Sequence, residues 1–464
     1  MKHRTVSMLI TISAFVLLTG CMKVGPDFKK PDMSSQIRES YQHAPSDAEM
    51  GKITDQWWVA FNDPELNQLA ENVLSGNLDI RKALAVISET RAYFVQSRAD
   101  RFPSLSLQGE VRRHRILPGI ESDVYNLSLP ASFEIDLWGR LTRAEEAALA
   151  SLAKTEENAR IIAQTIVSEA ITLYFQIESL ERRIQITTQS IENYRRNLSF
   201  IERRYEGGLI SILDLKQARR ALAQAKAILP SLRQDIGIKQ QKLAVLSGQY
   251  PETRSARTQP ENYFNLPALV PSGLPSDLLL RRPDIRAAEA TLQALNAKIG
   301  VAKASRFPRI TLTGTFGYSS SELDRLFMPG SSLWNIAFGA LQPIFDAGRL
   351  KAGQRAAEAQ FQQGMADYAK TVLTAFSEVE RALLTRKEQM KRRERMLDFL
   401  SEARSTQKVA ENRYERGLVD YLTVLDAQQA RFQAEENLVL VELAILSNRV
   451  TLHRALGGGW GEME

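Results

Sequence analysis

The sequence predicts a mostly helical α+β chain, built from two copies of one unit, in which each copy sets two short strands between a helix and a very long helix. Three observations carry this. Motifs recur at an offset of 205 to 209 residues, apolar residues follow heptad spacing over forty positions, and short runs elsewhere alternate between apolar and small polar side chains.

The chain opens with Lys2-His3-Arg4, an apolar run from Val6 to Leu18, and Leu18-Thr19-Gly20-Cys21. That is the order of a secretory signal. A cleavage site ending in cysteine resembles the bacterial lipobox, so Cys21 is expected to become the lipidated first residue of an exported protein, with 1–20 removed. Met22, in place of Asp, favours the outer membrane by resemblance to lipoprotein sorting.

Asp79-Ile80-Arg81 to Arg101-Phe102-Pro103 matches Asp284-Ile285-Arg286 to Arg306-Phe307-Pro308 with ten identities in 25 positions. Gly139-Arg140-Leu141 returns as Gly348-Arg349-Leu350, and Glu202-x-Arg204-Tyr205-Glu206-x-Gly208-Leu209 as Glu411-x-Arg413-Tyr414-Glu415-x-Gly417-Leu418. A period this long is a tandem duplication and not a solenoid. Between the halves, about 249–275, five prolines exclude regular structure.

Each half contains one long rod. Ile166, Ala170, Leu173, Ile177, Leu180, Ile184, Thr187, Ile191, Tyr194, Leu198, Ile201 and Tyr205 alternate by four and three, a heptad seam. A helix from about 140 to 206 would run on the order of 100 Å. The counterpart, about 349 to 415, has a weaker seam because Arg386, Arg393 and Arg404 intrude. Both rods end in glycine, Gly208 and Gly417, suited to the left-handed position after a helix, with Leu209 and Leu418 following. Ser211-x-x-Asp214 has the form of a capping box and Asp420 can cap the matching helix, so return helices are expected at about 212–247 and 421–456.

The alternating runs are about 104–114, 124–135, 309–319 and 333–344. Each would show one apolar and one small polar face, the pattern of outer-membrane strands, although a half-buried soluble hairpin alternates in the same way. Phe133, Phe316, Trp334 and Phe338 fall on the apolar faces and are expected to meet lipid. Four strands cannot close a barrel alone. Two subunits give eight strands and a filled interior; three give twelve and a lumen, so the prediction is a trimer.

Composition removes other classes. Apolar residues are 44% and charged residues 25%, and Val6–Leu18 is the only long apolar run, which excludes a polytopic helical transporter. With one cysteine and four histidines (His3, His43, His114, His453), a disulfide framework and a Cys/His zinc cage lack ligands. The net charge of +6 is mild and interleaved with Glu and Asp, so nucleic-acid binding is not expected. Walker A, G-x-S-x-G and H-E-x-x-H are missing from the sequence, and the helical carboxylates read as charge pairs. The chain is expected to be no enzyme and to need no cofactor beyond a covalent lipid.

Taken together, Cys21-x3-Gly25-Pro26-Asp27-Phe28-x2-Pro31, Trp57-Trp58-x2-Phe61-x-Asp63-Pro64-x-Leu66, Leu274-Pro275-Ser276-x3-Leu280-x-Arg282-Pro283-Asp284-Ile285-Arg286-Ala287-Ala288-Glu289 and Pro343-x-Phe345-Asp346-x-Gly348-Arg349 closely resemble the lipoprotein branch of the TolC-like outer-membrane efflux factors. The resemblance covers nearly all of the mature chain. It implies a trimeric channel-tunnel with a shared twelve-stranded transmembrane β-barrel, a long coiled-coil α-helical periplasmic barrel and an equatorial belt made partly by the linker and C-terminal tail. It also implies a periplasmic adaptor and an inner-membrane pump of the resistance-nodulation-division type as partners. On that reading 1–20 is the signal peptide, 21–62 the lipidated segment and belt, 63–248 and 276–457 the two repeats, 249–275 the linker and 458–464 the tail.

The resemblance also assigns sites. Tyr421-Leu422-Thr423-Val424-Leu425-Asp426 resembles the family's constriction segment, with Leu422 and Asp426 at the gate-forming positions. Four apart on a helix, they share a face. The plain alternative is that Asp426 is a surface charge paired with Arg431 or Lys216. The turns at Gly208-Leu209 and Gly417-Leu418 are either helix caps alone or caps that also dock the adaptor. The function expected is passive conduction for a pump. A polypeptide exit duct and a non-conducting coiled-coil surface lipoprotein are the alternatives.

Overall fold

The computed structural model describes residues 23–33, 38, 40–44, 56–117, 120–252, 264, 270 and 275–458. Cys21 lies outside the described residues. In chain order the helices are α1 (Pro64–Gly76), α2 (Leu78–Ala99), α3 (Arg140–Glu206), α4 (Ile212–Leu246), α5 (Pro275–Arg281), α6 (Pro283–Ala304), α7 (Arg349–Glu415) and α8 (Tyr421–Ala455). The strands are β1 (Ser104–Leu105), β2 (Gln108–Leu117), β3 (Ile120–Ile135), β4 (Arg309–Ser320) and β5 (Ser332–Leu341). The chain divides into two compact units, one of Met1–Met33, Ala85–Glu157 and Ile285–Thr371 and the other of Ser34–Leu84, Asn158–Asp284 and Val372–Glu464.

The first unit holds the whole sheet. It is antiparallel, with β1 and β2 both on β3, then β4, then β5. Where the sequence predicts one opening strand, the structure has two, interrupted at Ser106 and Leu107 while keeping one register: Leu105 faces Ala131 and Gln108 faces Ser128. Pro130 is the cause. The Ser106 amide still donates to the Pro130 carbonyl at 3.1 Å, but proline has no N–H to return the bond, so one rung is lost.

Register settles the two faces. Phe133, Leu312 and Phe338 form one row and Leu129, Phe316 and Trp334 another. The opposite face carries Glu134, Thr311 and Gly339, then Ser132, Thr313 and Ala337, then Pro130, Thr315 and Asn335. Phe316, Trp334 and Phe338 are 52%, 75% and 67% exposed, far too open for a soluble core.

The residues before the first repeat form a strap across this unit. The Val24 amide donates to the Trp138 carbonyl at 3.1 Å, Asn296 Nδ2 to the Pro26 carbonyl at 2.9 Å, and the buried Arg143 holds Asp27 at 2.9 Å. Gly25 has φ +102°, and a Cβ there would sit 2.7 Å from the Gly300 Cα, so only glycine lets the strap lie this close.

The second unit packs around a 3-10 turn at Trp57–Phe61 and α1, whose N-cap Asp63 accepts from the Glu65 and Leu66 amides at 3.0 and 3.2 Å. Trp57, Leu66, Val73, Val167 and Ile171 are fully buried there. His453 stacks on Trp57 with ring centroids 5.1 Å apart, and neither ring nitrogen has a hydrogen-bond partner. Burial, reinforced by the Arg449 charge, pushes the imidazole down to about 3. The folded chain therefore refuses a proton that the unfolded chain accepts below about pH 6.5. This contribution is complete above pH 6.5 and is lost as pH falls toward about 3, by up to about 1.4 kcal/mol per pH unit. His453→Phe should flatten the fall in melting temperature between pH 7 and pH 5; equal slopes for the two proteins would remove His453 from the acid response.

Candidate functional site

The α3–α4 and α7–α8 turns are built alike from local hydrogen bonds. The Gly208 amide donates to the Tyr205 carbonyl and the Leu209 amide to that of Arg204, both at 2.9 Å. In the second half Gly417 donates to Tyr414 and Leu418 to Arg413, again at 2.9 Å. With φ of +68° and +74° at the two glycines, these are paired Schellman closures. A Cβ at either glycine would meet nothing within 4 Å, so backbone conformation alone requires glycine. The return helices start as their sequences imply. Ser211 accepts from the Leu213 amide at 3.0 Å while Asp214 accepts from the Ser211 amide at 3.2 Å, a complete capping box. Asp420 accepts from the Thr423 hydroxyl and amide at 2.6 and 2.9 Å, and those bonds hold its carboxyl below the usual range.

Both turns join one small core. Ile201, Leu215, Ala218, Ala410, Tyr414, Tyr421, Val424, Leu425 and Ala427 are buried together, with Ile210 and Val419 packed against them. One face of α8 is thereby consumed, and burial pushes the Tyr421 phenol far above its usual range. The opposite face is open: Leu422 is 50% exposed and Asp426 is exposed beside it. Leu209 and Leu418 are 69% and 61% exposed, so neither apolar side chain is used by the protomer's own cap.

Asp426 makes no hydrogen bond or ion pair among the described residues. Arg431, the neighbour that the plain alternative would pair with it, reaches Glu435 at 3.1 Å and Gln407 at 3.3 Å instead. The structure thus brings Gly208, Leu209, Gly417, Leu418, Leu422 and Asp426 to one cluster of helix ends. Phe133, Phe316, Trp334 and Phe338 lie together on the sheet, in the other unit.

Sequence reasoning missed the polar ties above the turns. Two of the three arginines that spoil the α7 seam are answered by α8: Arg404 meets Glu435 and Arg393 meets Glu442, each at 3.0 Å. Arg183 of α3 reaches Glu436 at 2.6 Å, and burial raises that carboxyl in spite of the arginine. Gln428 bonds Glu411 at 2.9 Å, and Arg204 stands 5.4 Å over the Tyr414 ring. Composition gave no signal for these pairs, since α8 holds three Glu and three Arg. Among the described residues no group of three or more His, Cys, Asp or Glu could hold a metal ion.

The pattern of the outer membrane efflux protein family matches residues 69–249 and 274–458. The chain is 34% identical over 476 residues to the solvent efflux pump outer membrane protein SrpC of Pseudomonas putida, covering 99% of each. It is 30% identical over 457 residues to the probable outer membrane lipoprotein SilC of Salmonella typhimurium, covering 98% of this chain and 99% of that one. Among solved structures, the outer-membrane channel OprN superposes with a TM-score of 0.87 at 30% identity, over 94% of this chain and 99% of its own. A duplicated helical chain with one two-faced sheet, matched by the family pattern in both halves, belongs to the outer membrane efflux protein family.

Proposed function

We propose that this chain is the exit duct of a tripartite efflux pump: a homotrimer that closes one twelve-stranded barrel in the outer membrane and passively conducts small toxic compounds out of the periplasm. The observation that carries this reading is the sheet. It is apolar on one face, polar on the other, and its edges at β1/β2 and β5 have no partner strand among the described residues. Inside a bilayer an open edge leaves backbone groups unsatisfied, so copies must pair edge to edge, and twelve strands are the smallest set that leaves a lumen. Phe133, Phe316, Trp334 and Phe338 then face lipid, and Cys21 carries the covalent anchor.

The tips are the working end. Exposed Leu209 and Leu418 beside the glycine closures offer an apolar contact to a periplasmic adaptor, which links the duct to an inner-membrane pump of the resistance-nodulation-division type. Leu422 and the unneutralised Asp426 share the free face of α8. Three copies around an axis make an apolar plug and a carboxylate ring whose repulsion cations relieve.

Conductance tests the reading directly. Purified trimer carrying Leu422→Ala and Asp426→Ala should show a large rise in single-channel open probability, and a pore as closed as the unaltered one removes both residues from the gate. Leu418→Asp should leave the trimer intact and abolish pump-dependent export; unchanged export with charges at both Leu418 and Leu209 would reject docking there. Phe338→Arg should cost roughly 2–4 kcal/mol of barrel stability in urea unfolding from bilayers, as a charge on a lipid face near mid-membrane does. A neutral result there and at Phe316 would mean the faces are reversed.

A further inference from the structure

We propose that the cleft between α3, α4 and the end of α8 is a transit site that holds the carboxylate of a small amphiphilic organic anion. This rests on the reading above that the free face of α8 lines the channel. That face runs the length of the helix. Asp426, Gln433, Leu440, Ser447 and Arg454 recur every seven residues, and all are exposed except Ser447, which is half-buried. A heptad step keeps to one side of a left-handed supercoil, so Arg454 opens on the same space as Asp426, four heptads away.

The cleft encloses about 450 Å³, a volume suited to a small molecule. Four charged residues line it: Glu169 of α3, Lys239 and Lys242 of α4, and Arg454 of α8. Lys242 is paired with Glu169 at 2.5 Å. Lys239 donates to the Gln176 side-chain oxygen at 2.7 Å, a neutral partner that leaves its charge unmatched. The Arg454 side chain makes no hydrogen bond or ion pair among the described residues. Its backbone carbonyl is held instead, accepting from Gln164 Nε2 at 3.3 Å, which ties this end of α8 to α3 beside Thr165. Asp235, one turn before Lys239, is outside the lining and makes no ion pair among the described residues. One carboxylate in the cleft therefore answers three cations.

The rest of the lining suits an amphiphile. The hydroxyls of Thr172 and Thr451 are spent on the Ser168 and Ser447 carbonyls at 2.7 and 3.0 Å, whereas that of Thr165 makes no hydrogen bond among the described residues. Ile238, 56% exposed, supplies an apolar wall with Leu173 and Val450. A guanidinium fork takes both oxygens of a carboxylate in parallel, a lysine adds a point charge, and the apolar body of the ligand then covers Ile238. A bare inorganic anion would leave that wall open to water, so the occupant is organic.

Equilibrium dialysis of purified trimer against naphthoate, with naphthol as the neutral analogue, tests this. Naphthoate should bind the more tightly, and Arg454→Gln should weaken it about tenfold, as loss of one charge-assisted hydrogen bond does. Adding Lys239→Gln should remove the remaining preference for the anion. Native mass spectrometry reports whether each variant is still a trimer. An intact trimer whose variants bind naphthoate as the parent does overturns the site, and so does binding of inorganic phosphate in place of naphthoate. In single-channel recordings naphthoate should lower the current of open parent channels and leave that of the double variant unchanged. Open parent channels whose current naphthoate does not alter would overturn the transit role alone. A parent that forms no trimer, or that shows no openings even with Leu422→Ala and Asp426→Ala, overturns the functional reading instead.

Discussion

A backbone N–H or C=O left unpaired in hydrocarbon costs several kcal/mol, and a protomer of this protein presents two sheet edges on which nothing in its own described residues pairs. Assembly is therefore a condition of the sheet's existence in a membrane. The internal ladder shows how tightly the rule is kept. The interruption between β1 and β2 falls opposite Pro130, a residue with no donor, and the register on the two sides of that break is unchanged. Closure by three copies makes the inner face of the sheet the wall of a pore, and the threonine, serine and asparagine side chains there are small and polar.

The helices obey a different constraint, because a wall of rods buries only part of each surface. On α3 the seam from Ile166 to Ile201 is apolar and largely buried, while α7 meets α8 through arginine and glutamate. Partly buried ion pairs of this kind contribute little net stability beyond apolar packing, but an unmatched member is costly, so they specify which residue lies beside which. Two neighbouring carboxylates of α8 are used in this way, Glu435 toward α7 and Glu436 toward α3. Asp426, nearer the turn, has no such partner, and it stands on the face of α8 that the protomer leaves bare. That difference in neutralisation singles it out from the other α8 carboxylates.

Legibility followed range. The Schellman closures at Gly208 and Gly417, the Ser211–Asp214 box and the Asp420 cap all complete their bonds within six residues, and each was readable from its own few letters. The alternation of Ile310, Leu312 and Phe316 with Thr311, Thr313 and Thr315 was equally local, because side-chain direction in a strand repeats every two residues. The break at Pro130 was not, since the missing donor matters only once Ser106 is known to lie opposite. Arg393 and Arg404 read as flaws in a seam because their partners are tens of residues away on another helix. His453 read as an isolated histidine, and its stacking on Trp57 joins residues almost four hundred positions apart.

The sequence by itself therefore determined the duplication, the lengths of the rods, the turn chemistry at their ends and the two faces of the sheet. These depend on periodicity and on hydrogen bonds that close within a turn. It also placed Leu422 and Asp426 on one helix face, by the rise of an α-helix alone. Tertiary structure decided which face of α8 is buried, which carboxylates are answered by arginine, and that the strap from Lys23 to Met33 is tied down by Trp138, Arg143 and Asn296. Those outcomes depend on distances between segments far apart in the chain, and no local pattern encodes a distance that only packing creates.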